Sequence, residues 1–225
     1  MKKFPLYFIM MFVVSLQAQK QISKTLGDFT VLKVFNGIDV ELVKADKQEI
    51  IITGEKAQKV NVKNTRDILK IYLPFPEALA NGKVKVTLYY SKKIDIIDAN
   101  EGASITAKDF KQQKIEIKSQ EMAFINMVVE AQYLTVKAVT GGAIKLTGST
   151  KNQNIEVNNS GIYRGYNLAV ENLTFIRAAL GGKGEVNSGN SLDAKVSFGG
   201  TIFYKGTPEV LKTKKVLGGT IEAKN

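Results

Sequence analysis

The sequence predicts an all-β chain whose C-terminal half coils into a single-stranded parallel β-helix, and three observations lead there. A triplet of apolar, polar and apolar residues returns every 18 to 21 residues from Gly102 onward. A glycine corner follows most copies of the triplet. No stretch of ten residues in this half shows the three-and-four apolar spacing of an amphipathic helix. Strands repeating at this period without helices stack in parallel, each rung on the one before, and their inward residues form columns.

The N-terminus combines Met1-Lys2-Lys3, a nearly uncharged run from Phe4 to Leu16, and Gln17-Ala18-Gln19. A positive segment, a short apolar run and a small residue before a polar one read as a signal peptide over residues 1–18, cut after Ala18 or an immediate neighbour. The run is short for a bilayer span, and no later stretch approaches that length. No Cys follows to carry a lipid. The expectation is an exported protein, in the periplasm, on the outer-membrane surface or outside the cell, with no transmembrane segment after cleavage.

Residues 22–101 form a β-rich N-terminal part with no clean period. The runs Phe29 to Val34, Ile38 to Val43, Glu49 to Thr53, Leu69 to Leu73 and Lys83 to Tyr90 are rich in β-branched and aromatic residues. Asn36-Gly37 marks a tight turn between the first two, and Pro74, Pro76 and Asn81-Gly82 bound a loop before the last. Less regular coils or a small antiparallel cap are expected here.

Residues 102–225 carry the rungs. The triplets are Ile115-Glu116-Ile117, Leu134-Thr135-Val136, Ile155-Glu156-Val157, Leu173-Thr174-Phe175, Leu192-Asp193-Ala194 and Leu211-Lys212-Thr213, the last departing from the pattern by putting Thr213 inward near an end. In that register their first residues, Ile115 through Leu211, stack inside, and Glu116, Thr135, Glu156, Thr174, Asp193 and Lys212 stack outside. The corners are Gly141-Gly142, Gly161, Gly181-Gly182, Gly199-Gly200 and Gly218-Gly219, each shortly before an apolar position at Ile144, Tyr163, Val186, Ile202 or Ile221. Glu121-Met122-Ala123 lacks the glycine pair, so a differently built corner is expected there.

Composition removes whole classes of chemistry. The sequence has no His, Cys or Trp, which rules out Ser/His/Asp and Cys/His nucleophile systems and the usual zinc ligand sets. No metal or cofactor is expected, and stability must come from burial alone. The net charge is +11, or +9 without Lys2 and Lys3. Its lysines alternate with acidic neighbours, as in Lys114-Ile115-Glu116, which reads as a solvated β surface rather than a nucleic-acid site.

Phe35-Asn36-Gly37-Ile38-Asp39-Val40-Glu41-Leu42, followed by Leu69-Lys70-Ile71-Tyr72-Leu73 and Lys83-Val84-Lys85-Val86, resembles the auto-transporter adhesin head GIN-domain family. Gly199-Gly200-Thr201-Ile202-Phe203-Tyr204-Lys205-Gly206-Thr207-Pro208, closing on Gly218-Gly219-Thr220-Ile221, is similar to that family's last rungs. The resemblance covers nearly the whole mature chain. It implies a right-handed parallel β-helix like that of pectate lyases and an adhesive role without recognised catalytic residues. The corners depart from the family's usual Gly-Ser-Gly, and with six residues after Gly219 no translocator barrel is expected.

Few constellations carry chemistry. Asp95, Asp98 and Glu101 are the densest acidic group, and glycoside hydrolysis needs two carboxylates about 5 to 10 Å apart. Alternation turns Asp95 outward and puts Asp98 near a turn, which favours a solvated edge over catalysis. A lyase would pair a carboxylate-bound Ca²⁺ with a basic residue, yet Arg66, Arg164 and Arg177 stand beside no such cluster. In Gly161-Ile162-Tyr163-Arg164-Gly165-Tyr166-Asn167, the side chains of Tyr163, Arg164 and Tyr166 read either as a sugar-stacking or anion-contacting spot or as ordinary packing, with packing favoured. Lys212, Lys214 and Lys215 read as charges that keep a terminal edge from pairing, and Lys92-Lys93 as turn charges.

The chain is therefore expected to be a non-enzymatic, adhesin-like surface-binding module of the bacterial envelope, with envelope or extracellular glycans or proteins as partners. A polysaccharide-active lyase or glycosidase is the alternative. Rung spacings of 18 to 21 leave little chain for the long loops from which catalytic β-helices build their sites.

Overall fold

The computed structural model describes residues 21–224, and the segment read as a signal peptide, residues 1–18, lies outside them. The first strands are β1 (Ile22–Thr25), β2 (Val31–Val34), β3 (Asp39–Lys44), β4 (Glu49–Thr53), β5 (Asn61–Thr65), β6 (Ile68–Tyr72), β7 (Lys85–Tyr90) and β8 (Ile96–Ala99). Three long strands follow, β9 (Ser104–Ser119), β10 (Phe124–Ala138) and β11 (Ala143–Val157). The last are β12 (Ile162–Gly165), β13 (Leu168–Ala179), β14 (Lys183–Asn187), β15 (Ser191–Ser197), β16 (Thr201–Lys205), β17 (Val210–Val216) and β18 (Thr220–Ala223).

The long strands stack in parallel, β9 on β10 and β10 on β11, along nearly their whole length. Each bends where two successive residues point outward, as Gln132 and Tyr133 do, because one step out of the two-residue alternation turns the inward row. The next rung breaks at its bend, so β11 pairs with both β12 and β13. From there an entry sheet runs through β12, β14, β16 and β18, and an exit sheet through β13, β15 and β17. The stack is a parallel β-solenoid.

The N-terminal part enters the same stack. β2 pairs in parallel with β6 and β8, and β8 with β9, which extends the exit sheet. β3 pairs in parallel with β7 and β9, extending the entry sheet. Asn36-Gly37 is thus a corner between two sheets rather than a hairpin between paired strands. The antiparallel pairs are β1 with β4, β4 with β7 and β5 with β6, and they cover this end.

The corners share one design. Just past the exit strands other than β6, two successive residues take left-handed backbone, as at Asn36 and Gly37 (φ 58° and 65°), Thr140 and Gly141 (51° and 73°) and Asn159 and Ser160 (48° and 60°). Glu121 and Met122 do the same at 56° and 60°. Ala123 N–H then donates to Gln120 O at 3.1 Å, as Gly142 N–H does to Val139 O at 2.9 Å. The corner expected to differ at residues 121–123 is therefore built like the others, because hydrogen bonding to neighbouring rungs holds non-glycine residues in that conformation. At the next position the chain presses on the rung before: a Cβ on Gly142 would lie 2.2 Å from Ser119 O.

The inward rows are apolar columns. The central one in the exit sheet runs Leu69, Leu32, Ile97, Ile117, Val136, Ile155, Ile176 and Ala194 by register, and all are buried. The predicted column is corrected in two places. Ile155 is buried but stacks on Val136 and Ile176, while Leu134 stacks on Gln153. Leu173 faces out at 38% exposure, and Thr174 is fully buried at 0%. The column begun by Ile115 and Leu134 thus continues through Gln153 and Thr174 to Leu192 and Leu211. Leu211, on the last rung of that column, is itself exposed.

Gln153 and Thr174 are tolerated inside because their polar atoms are matched. Gln153 Nε2 donates to Thr174 Oγ1 at 2.9 Å and to Asn187 O at 3.3 Å. Thr174 Oγ1 donates to Asn187 O at 2.8 Å, and the buried Tyr163 hydroxyl donates to Gln153 Oε1 at 3.1 Å. Buried polar groups with partners cost little, and together they hold neighbouring rungs in one register. The Tyr163 ring takes the space over Gly165, where a Cβ would lie 2.5 Å from its hydroxyl oxygen.

Candidate functional site

The acidic trio read from the sequence does not converge. Asp95 pairs with Lys93 at 3.1 Å. Glu101 sits at a corner and accepts from Asn36 Nδ2. Asp98 is 1% exposed on β8 rather than at a turn. Its register partners Lys33 and Lys118 reach its carboxylate at 3.4 and 3.8 Å, and Gln120 Nε2 donates to it at 3.0 Å. The parallel stack seals it between two lysines, a structural ion cluster that sequence spacing did not reveal.

Tyr163, Arg164 and Tyr166 do not form one surface spot either. Tyr163 is wholly inside, and burial pushes its hydroxyl upward in pKa. Arg164 points outward, and Tyr166 is half-buried with Lys205 Nζ 4.8 Å from its ring centre. Lys212 and Lys214 face outward on the exit sheet's last rung, and Lys215 occupies an inward register position beneath Val196. Lys92 pairs with Asp28 at 2.5 Å. Among the described residues no group of three or more acidic side chains converges as a metal set.

The surface best suited to bind lies on the outside of the exit sheet. Tyr133, Asn152 and Leu173 are register neighbours just past the bend, and Thr135, Asn154 and Phe175 form the next outward row. With Lys114 they line a 620 Å³ depression. Thr135, Asn154 and Phe175 continue it into a smaller 190 Å³ hollow edged by Lys137, Glu156 and Arg177, where the guanidinium lies 4.8 Å from the Phe175 ring centre. The groove offers apolar and aromatic faces beside amides that both donate and accept. It runs across rungs and is open and shallow, a shape for an extended ligand.

Sequence reasoning missed this groove. Leu173 and Phe175 were assigned inward, and Asn152 and Asn154 fell between triplets. The long rung lies one step later than the triplet spacing placed it: one extra residue enters between Arg164 and Leu168 and another between Val170 and Leu173, so β13 pairs with β11 at an offset of 21 residues. A second depression of 670 Å³ crosses the middle segments of the rungs, lined by Lys111, Gln113, Glu130, Ser149, Lys151 and Glu171 among others. Glu130 is held there by Lys111 at 3.3 Å.

A family model described as "Putative auto-transporter adhesin, head GIN domain" matches residues 28–208. Among solved structures, a putative adhesin from Bacteroides fragilis superposes with a TM-score of 0.79 at 17% identity, covering 92% of this chain and 98% of its own. A putative lipid binding protein from Parabacteroides distasonis gives 0.67 at 18%, covering 91% and 96%. A putative adhesin from Parabacteroides merdae gives 0.63 at 20%, covering 92% and 96%. At these identities the likeness establishes the solenoid fold. No curated protein matches the chain. No helix among the described residues is long and apolar enough to cross a membrane.

Proposed function

Since the chain belongs to the auto-transporter adhesin head GIN-domain family, we propose that it is an exported, non-enzymatic, adhesin-like module of the bacterial envelope that binds an extended glycan. The observation that carries this reading is the open groove on the exit sheet, with Tyr133, Leu173 and Phe175 exposed or half-exposed beside Asn152 and Asn154. Sugar rings present an apolar face and a rim of hydroxyls. Aromatic side chains take the first and amides the second. Because the groove crosses rungs spaced about 4.8 Å apart, it suits a chain lying along the solenoid rather than a single sugar. Residues 1–18 direct the export.

The test is a glycan array probed with the mature protein, alongside fractionation and N-terminal sequencing of tagged protein from cells. Retained glycans whose signal falls at least about tenfold with Tyr133→Ala or Asn154→Ala would support the groove. An array without signal, or one unchanged by either substitution, would refute it. An intact Met1 in the exported pool would refute the processing.

A polysaccharide-cleaving enzyme is the second reading, favoured by one observation: Glu130 and Glu171 both line the 670 Å³ depression. Cleavage of acidic or neutral polysaccharides that disappears in Glu130→Gln or Glu171→Gln would establish it in place of the first.

A further inference from the structure

The first left-handed position of the corner is polar in five successive rungs, at Asn36, Glu101, Glu121, Thr140 and Asn159. In the last three rungs the same slot holds Leu180, Phe198 and Leu217, at φ 49°, 49° and 52°. These side chains are 52, 55 and 72% exposed. The left-handed conformation suits Asn and Gly and disfavours bulky apolar residues. Water gives those residues nothing in return. Three stacked corners therefore depart from the rest of the ridge in a way that folding does not reward.

A cation stands three residues before each. Arg177, Lys195 and Lys214 are register partners on the outer face of the exit sheet, forming one column parallel to the apolar ridge. Small residues, Ala179 and Ser197, separate column from ridge, and with Arg177 and Lys195 they line a 280 Å³ hollow that Glu156 and Asn158 close on the side of the rung before. No carboxylate interrupts the column over these rungs. Asp193 lies in the neighbouring outward row, and Glu156 precedes Arg177 on the rung before. On the entry sheet Glu185 and Glu222 are held by Lys183 at 2.8 Å and Lys224 at 2.6 Å.

We propose that this edge docks on an anionic lipid surface, with Leu180, Phe198 and Leu217 entering the headgroup boundary and Arg177, Lys195 and Lys214 contacting lipid phosphates. Apolar side chains beside cations match both layers of such a surface, and the two attractions add. A second copy of the chain fits worse, because a two-fold contact with its axis across the ridge would set one cation column against the other. Arg177 edges both the groove and the cation column, but neither set of substitutions touches it, and the ridge is separate from Tyr133 and Asn154, so the outcome of the glycan array leaves this proposal standing or falling on its own.

The experiment is co-sedimentation of the mature protein with phosphatidylcholine vesicles and with vesicles of equal parts phosphatidylcholine and phosphatidylglycerol. Binding is expected to the mixed vesicles only. The triple variant Leu180→Asn, Phe198→Asn, Leu217→Asn should weaken it at least about a hundredfold by removing the apolar term. Because Asn suits the left-handed slot, that variant should melt no lower than the parent. The pair Lys195→Gln and Lys214→Gln should weaken binding about 25-fold, roughly five-fold per cation. Absence of vesicle binding, or binding that survives the Asn variant, overturns the proposal. So does a soluble polyanion that binds the Asn variant as tightly as vesicles bind the parent, or a dimer in solution that the Asn variant abolishes.

Discussion

The hydrogen bond from the Tyr163 hydroxyl to Gln153 Oε1, 3.1 Å long and wholly inside the solenoid, supports a quantitative double-mutant test. Changing Gln153 to Leu keeps most of the volume but leaves the tyrosine hydroxyl without its acceptor. A buried polar group left unpaired costs about 1 to 3 kcal/mol. Thr174 Oγ1 keeps its own bond to Asn187 O at 2.8 Å, so the loss stays local to the tyrosine. Changing Tyr163 to Phe instead strands Gln153 Oε1, at a cost of similar size. Making both changes removes both orphaned atoms and should lie within about 1 kcal/mol of the parent. The interaction term, the two single losses less the loss of the double change, should therefore be at least about 1 kcal/mol in favour of the pair. Urea melts of the four proteins measure it, with an unchanged slope as the check that unfolding stays two-state. Additive losses would mean that the two side chains do not meet inside, and the corrected register of the exit sheet would fall with them.

Other expectations follow from the same columns. Ile155→Asp puts an unpaired charge between Val136 and Ile176 and should cost several kcal/mol, about 3 to 5, whereas Glu156→Lys on the solvated face should cost under about 1 kcal/mol; hydrogen exchange should loosen first in β10 and β13, and equal destabilisation by both changes would refute the assignment of faces. Burial, with a smaller contribution from Asp109, pushes the Tyr90 hydroxyl from 10.0 up to about 12, and burial raises Tyr163 as well. The folded chain then holds protons that the unfolded chain releases, so these tyrosines stabilise fully below pH 10 and the benefit is lost as pH rises toward about 12. Urea midpoints across that window, followed with phenolate absorbance, should fall in the parent and fall less in Tyr90→Phe.

The sequence by itself determined the architecture. A period near 19 residues, strand-like triplets and glycines at fixed offsets admit little besides a parallel stack, since alternation sets one face inward and each rung must cover the next. It also determined which chemistry is missing, because without His or Cys the usual nucleophile and zinc sets cannot be assembled. Only the tertiary structure decided the register and therefore the groove. Alternation fixes inside and outside within one straight strand, but one extra outward residue at a bend reverses it without changing composition. That is why Leu173 and Phe175 came out on the surface while Thr174 went in, and a two-residue offset put Gln153 rather than Ile155 on Leu134. Those two polar residues could be placed only with their partners in hand, and the partners Tyr163 and Asn187 lie 10 and 34 residues from Gln153. Asp98 is the same case, a carboxylate buried by lysines on rungs that stack beside it only after folding. The residues at Leu180, Phe198 and Leu217 looked like ordinary members of glycine corners in the chain. They became a ridge when stacking brought three distant positions into one line.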